Sequence, residues 1–183
     1  MPKNYHVIYE DNHLIAVYKP AGILVQGDKS GDISLLDEVR TYIKQKYQKP
    51  GNVFVGLVHR LDRNVDGIVL FAKTSKGASR ISEQIREHKV QKTYHAWVHG
   101  TPKAAQATLV HFLVHNESNN LSQIFDTEKA GSQNAELSYE LVKTEGDFSL
   151  LKINLKTGRH HQIRAQLSHI GHPIVGDIKY GSE

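Results

Sequence analysis

The hydrophobic and polar positions change period along the chain, and those changes outline its elements. Val7 to Tyr9 and Leu14 to Tyr18 are short β-rich runs separated by Glu10-Asp11-Asn12 and closed by Pro20 and Gly22, which predicts a two-stranded start. Leu35, Val39, Tyr42 and Ile43 then recur at helical spacing. With Asp32 and Ser34 as caps and Pro50-Gly51 as a stop, Leu35 to Gln48 reads as a helix with one buried face. Val53 to Leu57 and Ile68 to Ala72 have the β-branched and aromatic content of buried strands. A second helix is predicted from Ser75 to His88, with Ala78, Ile81 and Ile85 on one face. Thr93 to Val98, Thr108 to Val114, Ala135 to Lys143 and Phe148 to Leu155 continue the strand pattern, the last two joined by a hairpin-like Glu145-Gly146-Asp147. A third helix, Arg159 to Ile170, ends at Gly171 with Pro173 beyond it. Strand runs interrupted by three helices predict an α+β fold with a mixed, largely antiparallel sheet flanked by helices. No repeat, low-complexity tract or Gly/Ser linker interrupts the chain, so residues 1–183 read as a single domain.

Composition narrows what such a domain can do. At 183 residues and 39% hydrophobic content the chain is long enough for a real core, which excludes a disordered or collagen-like polymer. Cys is 0, so disulfides, thiol nucleophiles and Cys-based metal sites are excluded. Ile68 to Ala72 is among the longest apolar runs, far short of the roughly 20 residues needed to cross a bilayer. The start of the chain also lacks the features of a secretory signal. A cytoplasmic protein without a membrane partner is expected. Lys plus Arg number 23 against 19 Asp plus Glu, a net charge of +4 that favours a polyanionic partner without naming it.

Several candidate motifs fail on their chemistry. Gly22 to Ser30 approaches a phosphate-binding loop but carries one extra residue, Asp28, a negative charge where phosphate would sit. The 12 His residues form no His-Glu-x-x-His, and adjacent His160 and His161 would point about 100° apart on a helix, too far to chelate one ion as a pair. No metal site is expected. Asn116-Glu117-Ser118 and Asn120-Leu121-Ser122 match glycosylation sequons but read as a polar loop, and there is no Gly-x-Ser-x-Gly elbow. What remains is the charged stretch His59-Arg60-Leu61-Asp62-Arg63-Asn64 between two predicted core strands. Taken alone, Arg-Leu-Asp-Arg is more often a surface ion-pair cluster than a catalytic site.

The surroundings of that stretch change its meaning. His59 to Gly67, continued by Ile68 to Thr74, resembles the signature of the RluA family of pseudouridine synthases. Three further segments resemble that family in order: Tyr18-Lys19-Pro20-Ala21-Gly22, Lys92-Thr93-Tyr94-His95-Ala96, and Thr157-Gly158-Arg159-His160-His161-Gln162-Ile163-Arg164, followed by Gly171-His172-Pro173 and Gly176-Asp177. Two features depart from the pattern. Val65-Asp66 stands where Thr-Ser is expected, and the sequence stops at Glu183, where family members continue with a further strand segment. The expectation is a catalytic domain lacking part of its C-terminal end and without an S4-type appendage.

The resemblance implies a pseudouridine synthase-like fold and an isomerase that detaches uracil from C1′ of ribose, rotates it and rejoins it through C5. No cofactor is implied, because the reaction involves no redox change, net hydrolysis or phosphoryl transfer. It implies that Asp62 is the catalytic carboxylate, that Arg164 pairs with it and keeps it ionised, and that Tyr94 stacks on the flipped base and helps remove the C5 proton. The implied partner is ribosomal or transfer RNA, engaged by a monomer. Arg60 and Arg63 are candidates to fill the vacated stack or bind phosphate, and Lys19, Lys73, Lys92, Arg159, His160 and His161 to track the backbone. Two alternatives are carried beside this reading: a non-catalytic RNA-binding module on the same fold, and a His-dependent metallohydrolase.

Overall fold

The computed structural model describes residues 5–182, which divide into two compact units at Glu87 and His88. The reading of one domain did not include this division. Each unit has its own sheet, its own helices and its own core, so the α+β expectation holds. In place of one mixed sheet there are two, and every strand pairing within them among the described residues is antiparallel.

The first unit is a four-stranded sheet in the order β1-β2-β4-β3, built from β1 (His6–Glu10), β2 (Leu14–Lys19), β3 (Gly56–Leu57) and β4 (Gly67–Ala72). The β1–β2 turn closes on Asp11, whose carboxylate accepts from the amides of His13 and Leu14, both at 2.7 Å. Alternation then sorts β2 and β4: Ile15, Val17, Val69 and Phe71 are fully buried in the core cluster that also holds Leu35, Leu36, Val39 and Ile43 of α1 (Leu35–Lys46). Helix α1 starts at a Ser34–Asp37 capping box, the Ser34 hydroxyl donating to Asp37 at 2.6 Å. Thr74 caps α2 (Ser75–Arg86), where Gly77 is needed because a Cβ there would meet the His13 carbonyl at 3.0 Å. The predicted strand from Val53 shortens to Gly56–Leu57, and Phe54 is exposed.

The second unit is a five-stranded sheet in the order β5-β9-β8-β6-β7. Its strands are β5 (Thr93–His99), β6 (Gln106–Asn116), β7 (Leu121–Phe125), β8 (Gln133–Glu145) and β9 (Phe148–Leu155). The β8–β9 hairpin turns on Gly146, which has φ +56 as a tight two-residue connection demands. Strand β7 is an addition: the stretch read as a polar loop contains the turn of a β6–β7 hairpin, with His115 opposite Ser122 and Asn120 left-handed at φ +53. Leu137, Tyr139, Leu151 and Ile153 form the inward face, covered by Ile163, Leu167 and Ile170 of the α3 region (Gln162–His169).

One polar hub ties the sheet edge of the first unit to its helix. Glu10 accepts from Lys46 (2.7 Å), Lys73 (2.6 Å), Tyr47 (2.7 Å) and Tyr42 (3.0 Å). Burial by itself raises the Glu10 carboxyl, but the hydrogen bonds from Lys46, Lys73, Tyr47 and Tyr42 outweigh it and hold the pKa down at about 2, against an ordinary 4.5. Because the folded value lies below the unfolded one, this contribution is complete above pH 4.5 and is lost as the pH falls toward 2. Glu10→Gln is expected to lower the unfolding free energy by about 2–3 kcal/mol at neutral pH. The variant should also flatten the acid loss of stability across that window, as read by urea melts at stepped pH.

Candidate active site

Asp62 lies half-buried in the loop between β3 and β4, and the local chain explains why that loop is rigid. Lys19 continues the inward row of Ile15 and Val17, so its side chain enters the core and is fully buried. Its ammonium donates to the carbonyls of Pro20 (3.0 Å), Ile23 (2.9 Å) and Arg63 (3.0 Å). The Arg63 carbonyl also accepts from the Gly22 amide at 2.8 Å, and the Arg63 Nε donates back to the Gly22 carbonyl at 3.0 Å. Gly22 can meet Arg63 this way because it adopts φ +90. Val65 N–H closes a turn onto the Asp62 carbonyl at 3.1 Å. On the strand side, the Leu70 amide donates to His59 Nε2 at 2.9 Å. Burial pushes the Lys19 ammonium down, while Asp66 and Asp62 pull it up.

Lys19 and Lys73, expected on the phosphate track, turn inward instead. Lys19 is sealed inside the unit with its ammonium committed to backbone carbonyls. Lys73 has a side chain only 7% exposed and is held by Glu10, the Asp11 carbonyl (2.7 Å) and Tyr47 (3.1 Å). Both lie at the end of an inward-facing row, after Val17 and after Phe71, where a long side chain is drawn back into the fold and away from any ligand. Arg60 is exposed, and Arg63 is exposed and bridges to Asp32 at 2.9 Å. The added negative charge at Asp66 accepts from the Tyr18 hydroxyl at 2.7 Å.

In the second unit Tyr94 lies on β5, the sheet's edge strand, opposite Ile153 and half-buried against the core cluster. Arg164 lies on α3 and is gripped by Asp177, Nε to Oδ2 at 2.6 Å and Nη2 to Oδ1 at 2.8 Å, with its guanidinium 5.0 Å from the Tyr180 ring centre. That fork limits the guanidinium to one plane. Asp177 and Tyr180 lie outside the expected site residues, although Gly176-Asp177 continues the family pattern.

Helix α3 begins at Gln162, three residues later than predicted, because His161 is left-handed at φ +51 and serves as its N-cap. Gln162 is buried and accepts from the Arg159 amide (3.0 Å) and the Thr157 hydroxyl (2.8 Å) while donating to the Glu136 carbonyl (3.1 Å) and to Gln166 (3.0 Å). The left-handed residue also overturns the expected splay of the two adjacent histidines. Their ring centroids lie 3.7 Å apart with the planes tilted by 31°, and His115 packs on His160 at 3.9 Å with a tilt of 44°. Arg159 donates from Nε to the Asn134 carbonyl at 2.9 Å. Lys92 is half-buried in a cleft of about 240 Å3 shared with Thr108, Glu136 and Asn154, where burial lowers its pKa.

His111, Asp126 and His169 bring ligand atoms within 4.8 Å of one another, the spacing of a metal site. Their hydrogen bonds do not fit one. Gln166 uses its Oε1 to accept from Gln162, so its Nε2 is the atom that faces the carbonyl of Ala135 (3.1 Å) and Nδ1 of His111 (2.9 Å). Nδ1 must therefore accept, and the neutral ring carries its proton on Nε2, the atom a metal would need. Burial, then the neighbouring His169, lowers the His111 pKa against the opposing pull of Asp126.

The model of the RNA pseudouridylate synthase family matches residues 13–169. The chain belongs to that family. Among curated members, it is 34% identical to a ribosomal large subunit pseudouridine synthase C of Buchnera aphidicola over 96% of this chain and 54% of the relative. It is 33% identical to a tRNA pseudouridine synthase C of Vibrio parahaemolyticus over 98% of this chain and 75% of the relative. The chain thus spans about half the length of the first of these relatives. The fold is that of human RNA pseudouridylate synthase domain containing 4, with a TM-score of 0.81 at 23% identity over 96% of this chain and 69% of the other. No helix among the described residues is long and apolar enough to cross a membrane.

The buried ammonium generates a prediction about this family's signature loop. Lys19→Met leaves carbonyls of Pro20, Ile23 and Arg63 without their donor. It is expected to lower stability by about 2–4 kcal/mol and to speed amide exchange at Gly22 and Val65. The salt dependence of RNA binding should stay unchanged; a shallower dependence would return Lys19 to the phosphate track.

Proposed function

We propose that the chain isomerises specific uridines of ribosomal or transfer RNA to pseudouridine. The observation that carries this reading is the loop of the family signature, in which the backbone around Asp62 is pinned by the Lys19 ammonium, a placement suited to a group that must meet one ribose carbon. The names of the relatives, one ribosomal and one tRNA enzyme, support RNA as the substrate and leave both classes as targets.

The chemistry requires the N1–C1′ bond to break, uracil to rotate, a C5–C1′ bond to form, the C5 proton to leave and N1 to take one up. Atoms and electrons balance without a cofactor. Asp62 is the carboxylate that opens the glycosidic bond, by attack at C1′ or by removing the C2′ proton. Tyr94 offers a ring to the flipped uracil and a phenol to the departing C5 proton. Arg164 is the candidate cation of the site, its guanidinium plane held by Asp177. Unstacking the uridine costs a few kcal/mol, and exposed Arg60 and Arg63 are placed on the loop to compensate by stacking or phosphate contact. Lys92, Arg159, His160 and His161 remain candidates for the RNA track. The protein acts as a cytoplasmic monomer.

Release of tritium from RNA carrying 5-tritiated uridine tests the reaction. Release by the protein and none by Asp62→Asn is expected; equal release by both would remove Asp62 from the mechanism. RNA affinity should fall linearly on a log–log plot against salt, whereas a flat response would contradict a phosphate-binding surface.

A further inference from the structure

The histidines at the start of α3 belong to a column that no motif accounts for. His161, His160 and His115 stack in sequence, with centroids 3.7 and 3.9 Å apart and tilts of 31° and 44°. The column is held from several sides. The Ser122 hydroxyl donates to the His160 carbonyl at 2.6 Å, which leaves its oxygen free to accept from His160 Nδ1 at 3.2 Å. His161 Nδ1 meets the Tyr180 hydroxyl at 3.1 Å, and that hydroxyl accepts from the Ser122 amide at 2.7 Å. His115 Nδ1 donates to the Leu121 carbonyl at 3.3 Å across the hairpin. A single residue, Ser122, therefore binds the middle ring directly and the inner ring through Tyr180.

Strand geometry decides where the column ends. His111, Leu113 and His115 share one face of β6; the first two are buried, and His115, two residues beyond, is exposed. The outer member of a preorganised aromatic stack is thus presented to solvent. An isolated exposed imidazole gives up side-chain freedom when it stacks on a ligand. His115 has already given it up to His160 and the hairpin, so a ring added to the column pays little further ordering cost.

We propose that His115 is a stacking platform for an unpaired nucleobase of the RNA. The ring spacing in the column is close to that of stacked bases, and a base is the planar ring this proposed RNA substrate supplies. The inference rests on the proposed function for its ligand class and extends it to a residue outside the family motifs.

The test uses the full chain and fluorescently labelled single-stranded oligouridine, with a matched oligomer of abasic ribose as control. His115→Ala is expected to weaken oligouridine binding about fivefold or more and to leave abasic binding and the slope of affinity against salt unchanged, because no phosphate contact is lost. His115→Phe, which keeps an aromatic face, should restore most of the affinity. Unchanged binding by His115→Ala, equal weakening on the abasic oligomer, a shallower salt slope, or failure of His115→Phe to rescue would each overturn the platform. Thermal melts of both variants exclude loss of fold, which an exposed site should not cause. Tritium release by the unaltered protein separates the two readings: none, with the His115 effect intact, removes the isomerase and leaves the platform standing.

Discussion

A charged group with no access to water governs the first unit. Burying an ammonium costs several kcal/mol unless its three donors are satisfied, and Lys19 satisfies them with backbone carbonyls of Pro20, Ile23 and Arg63. Those acceptors belong to two loops distant in sequence, so the requirement that the charge be solvated becomes a requirement that the loops meet. The carbonyls are held in turn, because carbonyls in the interior need donors as much as the ammonium needs acceptors. The position of Asp62 follows from this arrangement, one residue before the carbonyl that Lys19 holds.

The second unit reaches comparable rigidity with neutral groups. Gln162 and Gln166, one helical turn apart on α3, carry hydrogen bonds from the Arg159 amide to Nδ1 of His111. Backbone groups at one end and along the side leave each amide one orientation, and this sets the tautomer of a buried imidazole. The same helix carries Arg164, which a fork of hydrogen bonds to Asp177 holds in plane. A side chain held in one plane on a helix is the kind of support that a precise site requires.

Positive charge in this protein has two uses, distinguished by whether the residue continues the inward row of a strand or sits on a loop. Lys19 and Lys73 are internal fasteners, one for carbonyls and one for Glu10. Arg60 and Arg63 are displayed in solvent on the loop that Lys19 stabilises. The net charge of +4 is therefore a poor guide to the surface, since part of it is consumed inside.

Much of the architecture was legible because it depends on local period. The start of α1, its Ser34 cap, the β8–β9 turn at Gly146 and the strands β2 and β4 all follow from spacing that neighbours in sequence impose. The catalytic candidates were legible for another reason: Asp62, Tyr94 and Arg164 sit in segments whose residue order resembles a family's. The burial of Lys19 and Lys73 is also present in the alternation of Ile15, Val17, Lys19 and of Val69, Phe71, Lys73, although a positive charge ordinarily signals exposure. Other features had no local signal. Strand β7 is only five residues long and pairs with β6 across a polar turn, and His161 turns left-handed where it caps α3. The histidine column joins residues 45 and 46 positions apart. Chain neighbours alone set periodicity and caps, whereas strand pairing, the fate of a buried charge and the meeting of distant rings depend on which surfaces the folded chain brings into contact.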